Sequence, residues 1–236
     1  MTGNITVTAN FAINDYTVTF DKNNGDTEAD PPTKPAAHGG NVGTLPTAPT
    51  RTGYTFTSWN TAANGSGAAF TAATAVTGNL TVYAQWEINQ YTLTYAAGTN
   101  GSITGDSPQT VNHGASGTAV TAAPNTGYHF VDWSDDSTAN PRTDTNVTAN
   151  ITVTANFAIN TYTVTFKDYD GTTLKTETVD HGSAATAPAD PTREGYTFSG
   201  WDKAFTNVTG ALTVTAQYTI NTYTVTFDKN NGGTEA

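Results

Sequence analysis

The chain has 236 residues, and its nine Lys and Arg stand against twenty Asp and Glu for a formal charge of −11. That balance excludes binding to a phosphate backbone as the main task, because nucleic-acid binders present a basic face. Cysteine is absent, so neither a disulfide framework nor thiol chemistry is available, and no apolar run reaches the length of a membrane-spanning helix.

Fifty-one residues are Thr and 22 are Gly, a strand-and-turn composition that leaves little room for long helices. Residues 1–4 carry neither the charged region nor the apolar region of a signal peptide. From Ile5 the apolar residues alternate through Val7, Ala9 and Phe11, the period of a strand with one buried face. Residues 1–15 therefore read as the closing strand of a preceding module. At Tyr16 the alternation shifts phase, and Tyr16, Val18 and Phe20 share a face. A one-residue slip reverses which face a strand buries, so the joint before Tyr16 must turn the chain into a new sheet.

After Phe20 comes a turn, Asp21-Lys-Asn-Asn-Gly25, then His38-Gly39 and the Pro-bearing stretch Leu45-Pro-Thr-Ala-Pro49. Asn-Gly is a strong hairpin signal because both residues accept positive φ. Next is Gly53-Tyr54-Thr55-Phe56 with Trp59 five residues after the Tyr. The module closes with Leu80-Thr-Val-Tyr-Ala-Gln-Trp86 and the joint Glu87-Ile88-Asn89-Gln90.

The same series then repeats. The second opening strand starts at Tyr91, followed by Gly98-Thr-Asn-Gly101, His113-Gly114, Gly127-Tyr128-His129-Phe130 with Trp133, and Ile151-Thr-Val-Thr-Ala-Asn-Phe157. The third starts at Tyr162 and runs through Phe166, Asp168-Tyr-Asp-Gly171, His181-Gly182, Gly195-Tyr196-Thr197-Phe198 with Trp201, and Leu212-Thr-Val-Thr-Ala-Gln-Tyr218. Internal repetition of this kind marks an array of small units. The expected organisation is three modules, 16–90, 91–161 and 162–222, with 223–236 as the opening hairpin of a following one. The chain thus reads as a window on a longer repeat array. The predicted core is aromatic: Tyr16, Phe20, Tyr54, Phe56, Trp59 and Trp86; Tyr91, Tyr128, Phe130, Trp133 and Phe157; Tyr162, Phe166, Tyr196, Phe198, Trp201 and Tyr218. Three modules in line would span roughly 90–100 Å.

The pattern Tyr-Thr-Val-Thr-Phe, Asn-Gly, Pro-x-Arg-x-Gly-Tyr-x-Phe-x-x-Trp and Leu-Thr-Val-Tyr-Ala-Gln-Trp resembles the internalin-type B repeat, also called the Listeria–Bacteroides repeat. The first module carries it through Pro49-Thr-Arg-Thr-Gly-Tyr54, Trp59 and Ala84-Gln-Trp86. The third carries it through Pro191-Thr-Arg-Glu-Gly-Tyr196 and Ala216-Gln-Tyr218. The middle module lacks the Arg and has Ala155-Asn-Phe157, and so is similar to the divergent B-repeat. The resemblance implies small β-grasp-like sheet modules. With the strand-and-turn composition and the short four-residue joints, the expected fold is mainly β, mostly antiparallel with at most short helical turns, its tandem modules set as an extended rod. It also implies an extracellular, cell-surface or cell-wall-attached prokaryotic protein whose repeats serve as stalk, fibre or adhesive spacer. The family offers no catalytic residue to carry over.

Candidate sites are few. The three His of the His-Gly pairs fall one per module, so they read as turn residues rather than a converging ligand set. His129 reads as an exposed strand residue. Asp168 and Asp170 have Ca²⁺-like spacing, but hairpin tips favour Asp and Asn anyway, and the loop does not fit an EF-hand. No nucleophile–base pair recurs, so no enzyme and no cofactor is expected. Seven Asn-x-Ser/Thr sequences, at Asn4, Asn64, Asn79, Asn100, Asn146, Asn150 and Asn207, are possible glycan acceptors. The weakly charged Thr faces and strand edges are open to lateral association. Expected partners are neighbouring copies of the repeats, a glycan or a host surface protein, with self-assembly into a filament as a third reading and no membrane span.

Overall fold

In the computed structural model, which describes residues 3–227, every regular element among the described residues is a β-strand. The first module contains β1 (Asp15–Asp21), β2 (Thr33–Ala37), β3 (Tyr54–Asn60), β4 (Ala69–Phe70) and β5 (Leu80–Ile88). They form one sheet in the order β2-β1-β5-β3-β4. The opening strand β1 lies antiparallel to β2 but parallel to the closing strand β5, with Val18 opposite Leu80 and Phe20 opposite Val82. A parallel pair needs a long crossover, and residues 22–79 supply it. The sheet is therefore mixed, with one parallel pair at its centre.

The second module contains β6 (Gln90–Ala97), β7 (Gly101–Thr104), β8 (Gln109–Asn112), β9 (Thr121–Pro124), β10 (Tyr128–Trp133) and β11 (Ile151–Ile159). Its main sheet has the order β10-β11-β6-β8, and β7 and β9 pair separately. The third module contains β12 (Thr161–Lys167), β13 (Thr173–Asp180), β14 (Tyr196–Trp201) and β15 (Leu212–Ile220), in the order β13-β12-β15-β14. By contact the chain divides into two compact units, Met1–Thr94 with Gly105–Val120 and Arg142–Thr152, and Tyr95–Thr104 with Thr121–Pro141 and Val153–Ala236. The division falls within residues 91–161, so each joint between successive repeats lies inside a single unit.

The five-residue spacing from Tyr to Trp has a structural cause. Strict alternation would put Tyr54 and Trp59 on opposite faces. A β-bulge between Phe56 and Ser58 corrects the phase, and the same bulge recurs at Phe130/Asp132 and Phe198/Gly200. An extra residue on one strand moves everything after it to the other face. Each Trp then meets the Phe of its own strand, with ring centroids 5.3, 5.8 and 5.4 Å apart.

Phe20, Trp59, Trp133 and Phe166 are fully buried. Tyr16, Tyr54, Phe56, Trp86, Tyr91, Tyr128, Phe130, Phe157, Tyr162, Tyr196, Phe198, Trp201 and Tyr218 are half-buried. Around Trp59 the core gathers Val18, Phe20, Phe70, Val76, Val82 and Ala84. In the third module Val164, Phe166, Val208 and Val214 are buried, with Phe205 and Trp201 packed beside them.

The two ends of the described chain form no strand. Residues 3–14 are irregular, with Ile5, Val7, Phe11 and Ile13 exposed, and residues 221–227 are also irregular. Of the segment 223–236 read as an opening hairpin, residues 228–236 lie outside the described residues.

Candidate functional site: the joints between modules

Each joint is shorter than its four-residue sequence suggests. β5 ends at Ile88 and β6 begins at Gln90, so Asn89 alone separates the two sheets. Asn160 alone separates β11 from β12.

Asn89 is held on both sides. Its N–H donates to the Gly53 carbonyl at 2.9 Å, and its own carbonyl accepts the His113 N–H at 2.8 Å. The second joint repeats this with Asn160, Gly127 and His181, at 2.8 Å for both bonds. The Asn side chain is fixed as well. Asn89 Oδ1 accepts the Thr55 hydroxyl at 2.7 Å, and Asn221 Oδ1 accepts the Thr197 hydroxyl at 2.6 Å. At the middle position His129 replaces the Thr, and its Nδ1–H donates to Asn160 Oδ1 at 2.8 Å. His129 is exposed on its strand, and this bond is its structural use. One residue thus satisfies a carbonyl of the preceding module and an amide of the following one, where main-chain groups must find partners.

The His of each His-Gly pair belongs to this assembly. His38, His113 and His181 each lean on the opening Tyr of their own module, with ring centroids 5.8, 5.9 and 5.9 Å apart. His113 and His181 also lie against a glycine of the module before. A Cβ placed on Gly53 would sit 2.2 Å from His113 Cδ2, and one on Gly127 would sit 2.4 Å from His181 Cδ2. The His181 Nδ1 is buried, with no hydrogen-bond partner among the described residues.

Elsewhere the acidic groups serve turns. Asp168 Oδ1 accepts the Tyr169 N–H at 2.7 Å and the Tyr218 hydroxyl at 2.6 Å, and Asp170 Oδ1 accepts the Thr172 N–H at 2.9 Å. Burial and the Asp168 carboxylate push the Tyr218 hydroxyl up to about 12. The Thr172 N–H and hydroxyl hold Asp170 below the ordinary carboxylate range. Among the described residues no three His, Asp or Glu converge. Two of the Asn-x-Thr sequences have a fold reason: Asn79 Oδ1 accepts the Thr17 N–H and Asn150 Oδ1 the Thr92 N–H, both at 2.9 Å.

The joint His were visible as recurring residues, but their seat was not. The joint Asn has no distinguishing chemistry in sequence beyond the recurrence of Ile-Asn at 13–14, 88–89, 159–160 and 220–221. That recurrence was the available signal.

The Listeria-Bacteroides repeat domain matches residues 16–85 and 162–222, and the divergent InlB B-repeat domain matches residues 91–161. The chain belongs to the Listeria-Bacteroides repeat family. Both matched families are repeat domains rather than enzyme families. Among curated proteins this repeat chain is similar to a protein of Evansella cellulosilytica named as a Gly-rich membrane protein, 31% identical over 96% of the chain and 28% of that protein. It is also similar to internalin H of Listeria monocytogenes, 39% identical over 43% of the chain and 21% of that protein. The repeat chain therefore spans less than a third of the length of either relative. Among solved structures, domains 3–4 of a streptococcal cell surface protein, Streptococcal High Identity Repeats in Tandem, align with 17% identity and a TM-score of 0.22, over 56% of this chain and 99% of that one. No helix of the described residues is long and apolar enough to cross a membrane.

Proposed function

We propose that these repeats form a spacer region of an extracellular prokaryotic surface protein, holding other parts of that protein away from the cell. The observation that carries this reading is the joint. A single Asn bonded to both neighbouring modules leaves little free chain at which successive repeats can swivel, and a spacer needs that stiffness. The acidic, Thr-rich surface keeps such an array hydrated. The reading assigns no catalysis, cofactor or metal, including at Asp168 and Asp170.

Negative-stain electron microscopy of the chain at micromolar concentration tests it. Separate particles of one constant length are expected. Ordered fibres with an axial repeat would overturn the spacer in favour of a self-assembling filament. A second reading, a module that binds a glycan or host protein, is favoured by one feature of the third repeat. Tyr169 is 51% exposed and lies over the Arg193 guanidinium, 3.9 Å from its ring centroid. A glycan array in which binding follows Tyr169→Ala would support that reading instead.

A further inference from the structure

We propose that the Gly-Tyr end of each repeat is a docking surface whose partner is the Tyr–His pair at the opening end of another repeat of this kind. The inference rests on the spacer reading and identifies the residues that couple the array.

The surface is seen both filled and open. Gly53, Gly127 and Gly195 share one backbone conformation, with φ of 76°, 83° and 77°. At Gly53 and Gly127 an imidazole of the next repeat occupies the space a Cβ would need, whereas among the described residues nothing lies within 4 Å of that position at Gly195. Gly53 is half-buried, Gly127 buried and Gly195 exposed. The His side shows the complementary contrast. His113 and His181 are half-buried, while His38, which seats on no glycine among the described residues, is exposed. His38 nonetheless keeps the same stack on Tyr16, 5.8 Å between centroids. The Tyr–His pair is therefore formed within its own repeat and is ready before it meets a neighbour. Such preorganisation lowers the ordering cost of association.

The glycine has two reasons to be glycine. Positive φ disfavours any L residue, and that reason applies equally at all three positions. Among the described residues, close approach of the next repeat's ring applies at Gly53 and Gly127 and not at Gly195. Gly195 is thus an internal control for backbone strain. A repeat with a side chain at this position could not accept the imidazole, so the pair sets which repeat ends fit in line.

Amide hydrogen exchange on the full chain is the test. Gly127→Ala should speed exchange of the Asn160 and His181 amides at least tenfold, and Gly53→Ala those of Asn89 and His113. Gly195→Ala should change the Asn221 amide less than threefold, although Asn221 N–H bonds Gly195 in the same way at 2.9 Å. With His181→Ala already present, adding Gly127→Ala should cost less than a further threefold at Asn160. Equal effects at the three glycines, or no relief in the double variant, would overturn the proposal. Should a glycine variant fail to fold, His113→Ala alone still decides: the Asn89 amide should exchange faster while the Val18 amide in the core does not, and an unchanged Asn89 amide would overturn it. Particle length by microscopy is read separately, so a failed spacer and a failed seat give different results.

Discussion

The first and third repeats share a strand order and a register, yet they bury their tryptophans to different depths. Val18 faces Leu80 as Val164 faces Leu212, and Trp59 faces Ala84 as Trp201 faces Ala216. Trp59 is 1% exposed, whereas Trp201 is half-buried. The difference comes from the segment between the Trp and the closing strand. Residues 60–79 of the first repeat contribute β4, Phe70 and Val76, and residues 202–211 of the third contribute Phe205 and Val208. The sheet is the common element, and the variable segment decides how dry its centre becomes.

Truncation should separate the two repeats most clearly. Trp59→Ala removes a fully enclosed ring and should cost about 3–5 kcal/mol. Trp201→Ala leaves a site already open to water and should cost about 2 kcal/mol, the low end for large-to-small changes. Chemical denaturation of the two variants checks the order, and equal losses would mean that the variable segment does not control burial.

A smaller contrast lies at the end of the closing strand. Trp86 Nε1 donates to the Lys22 and Asn23 carbonyls at 3.2 and 3.0 Å, while Tyr218 donates to the Asp168 carboxylate. Tyr218→Phe leaves the ring in place and removes only that bond, so a loss of about 1 kcal/mol is expected in the same denaturation series. The arginines before Gly-Tyr give the next step down. Arg51 lies 3.7 Å from the Tyr54 ring centroid, and Arg193 lies 3.7 Å from that of Tyr196 and 3.9 Å from that of Tyr169. Arg193→Ala should exceed Arg51→Ala by about 0.5 kcal/mol, one exposed cation–π contact.

Acid should produce the smallest difference. Lys175 Nζ and the Thr186 N–H donate to Glu177 and hold its carboxyl below the ordinary value of 4.5. Lys34 of the first repeat instead donates to Thr44. A carboxyl lowered in the folded state stabilises it above the unfolded value, and that contribution is lost as pH falls through the folded value. Thermal melts between pH 6 and pH 2 should show a shallower decline for Glu177→Gln than for the parent chain. An identical decline would remove Glu177 from the account.

Much of this fold was readable beforehand. Alternation marked β1, β5 and their counterparts, and the phase shift at each joint foretold a change of sheet. The constant five-residue Tyr-to-Trp spacing was visible, but the β-bulge that puts Trp59 on the core face is a finding of the structure. The joint was less legible. Asn89 and Asn160 are polar, unremarkable linker residues in sequence, and their importance comes from groups far along the chain: the Gly53 and Gly127 carbonyls on one side, and the His113 and His181 amides on the other. Gly53 and Gly195 sit in the same local motif, and among the described residues an imidazole lies against Gly53 and not against Gly195.

One repeated segment separates local from tertiary causes. Residues 4–14 and 150–160 are identical, Asn-Ile-Thr-Val-Thr-Ala-Asn-Phe-Ala-Ile-Asn. At 151–159 the segment is β11, between β10 and β6, with Val153 and Ala155 buried. At 5–13 it forms no strand, and Val7 is 87% exposed. The alternation by itself determined which face is apolar and that a strand is the only regular form it suits. Whether that strand exists was decided by neighbours, because a lone strand has neither main-chain partners for its N–H and C=O groups nor a surface on which to bury its apolar face.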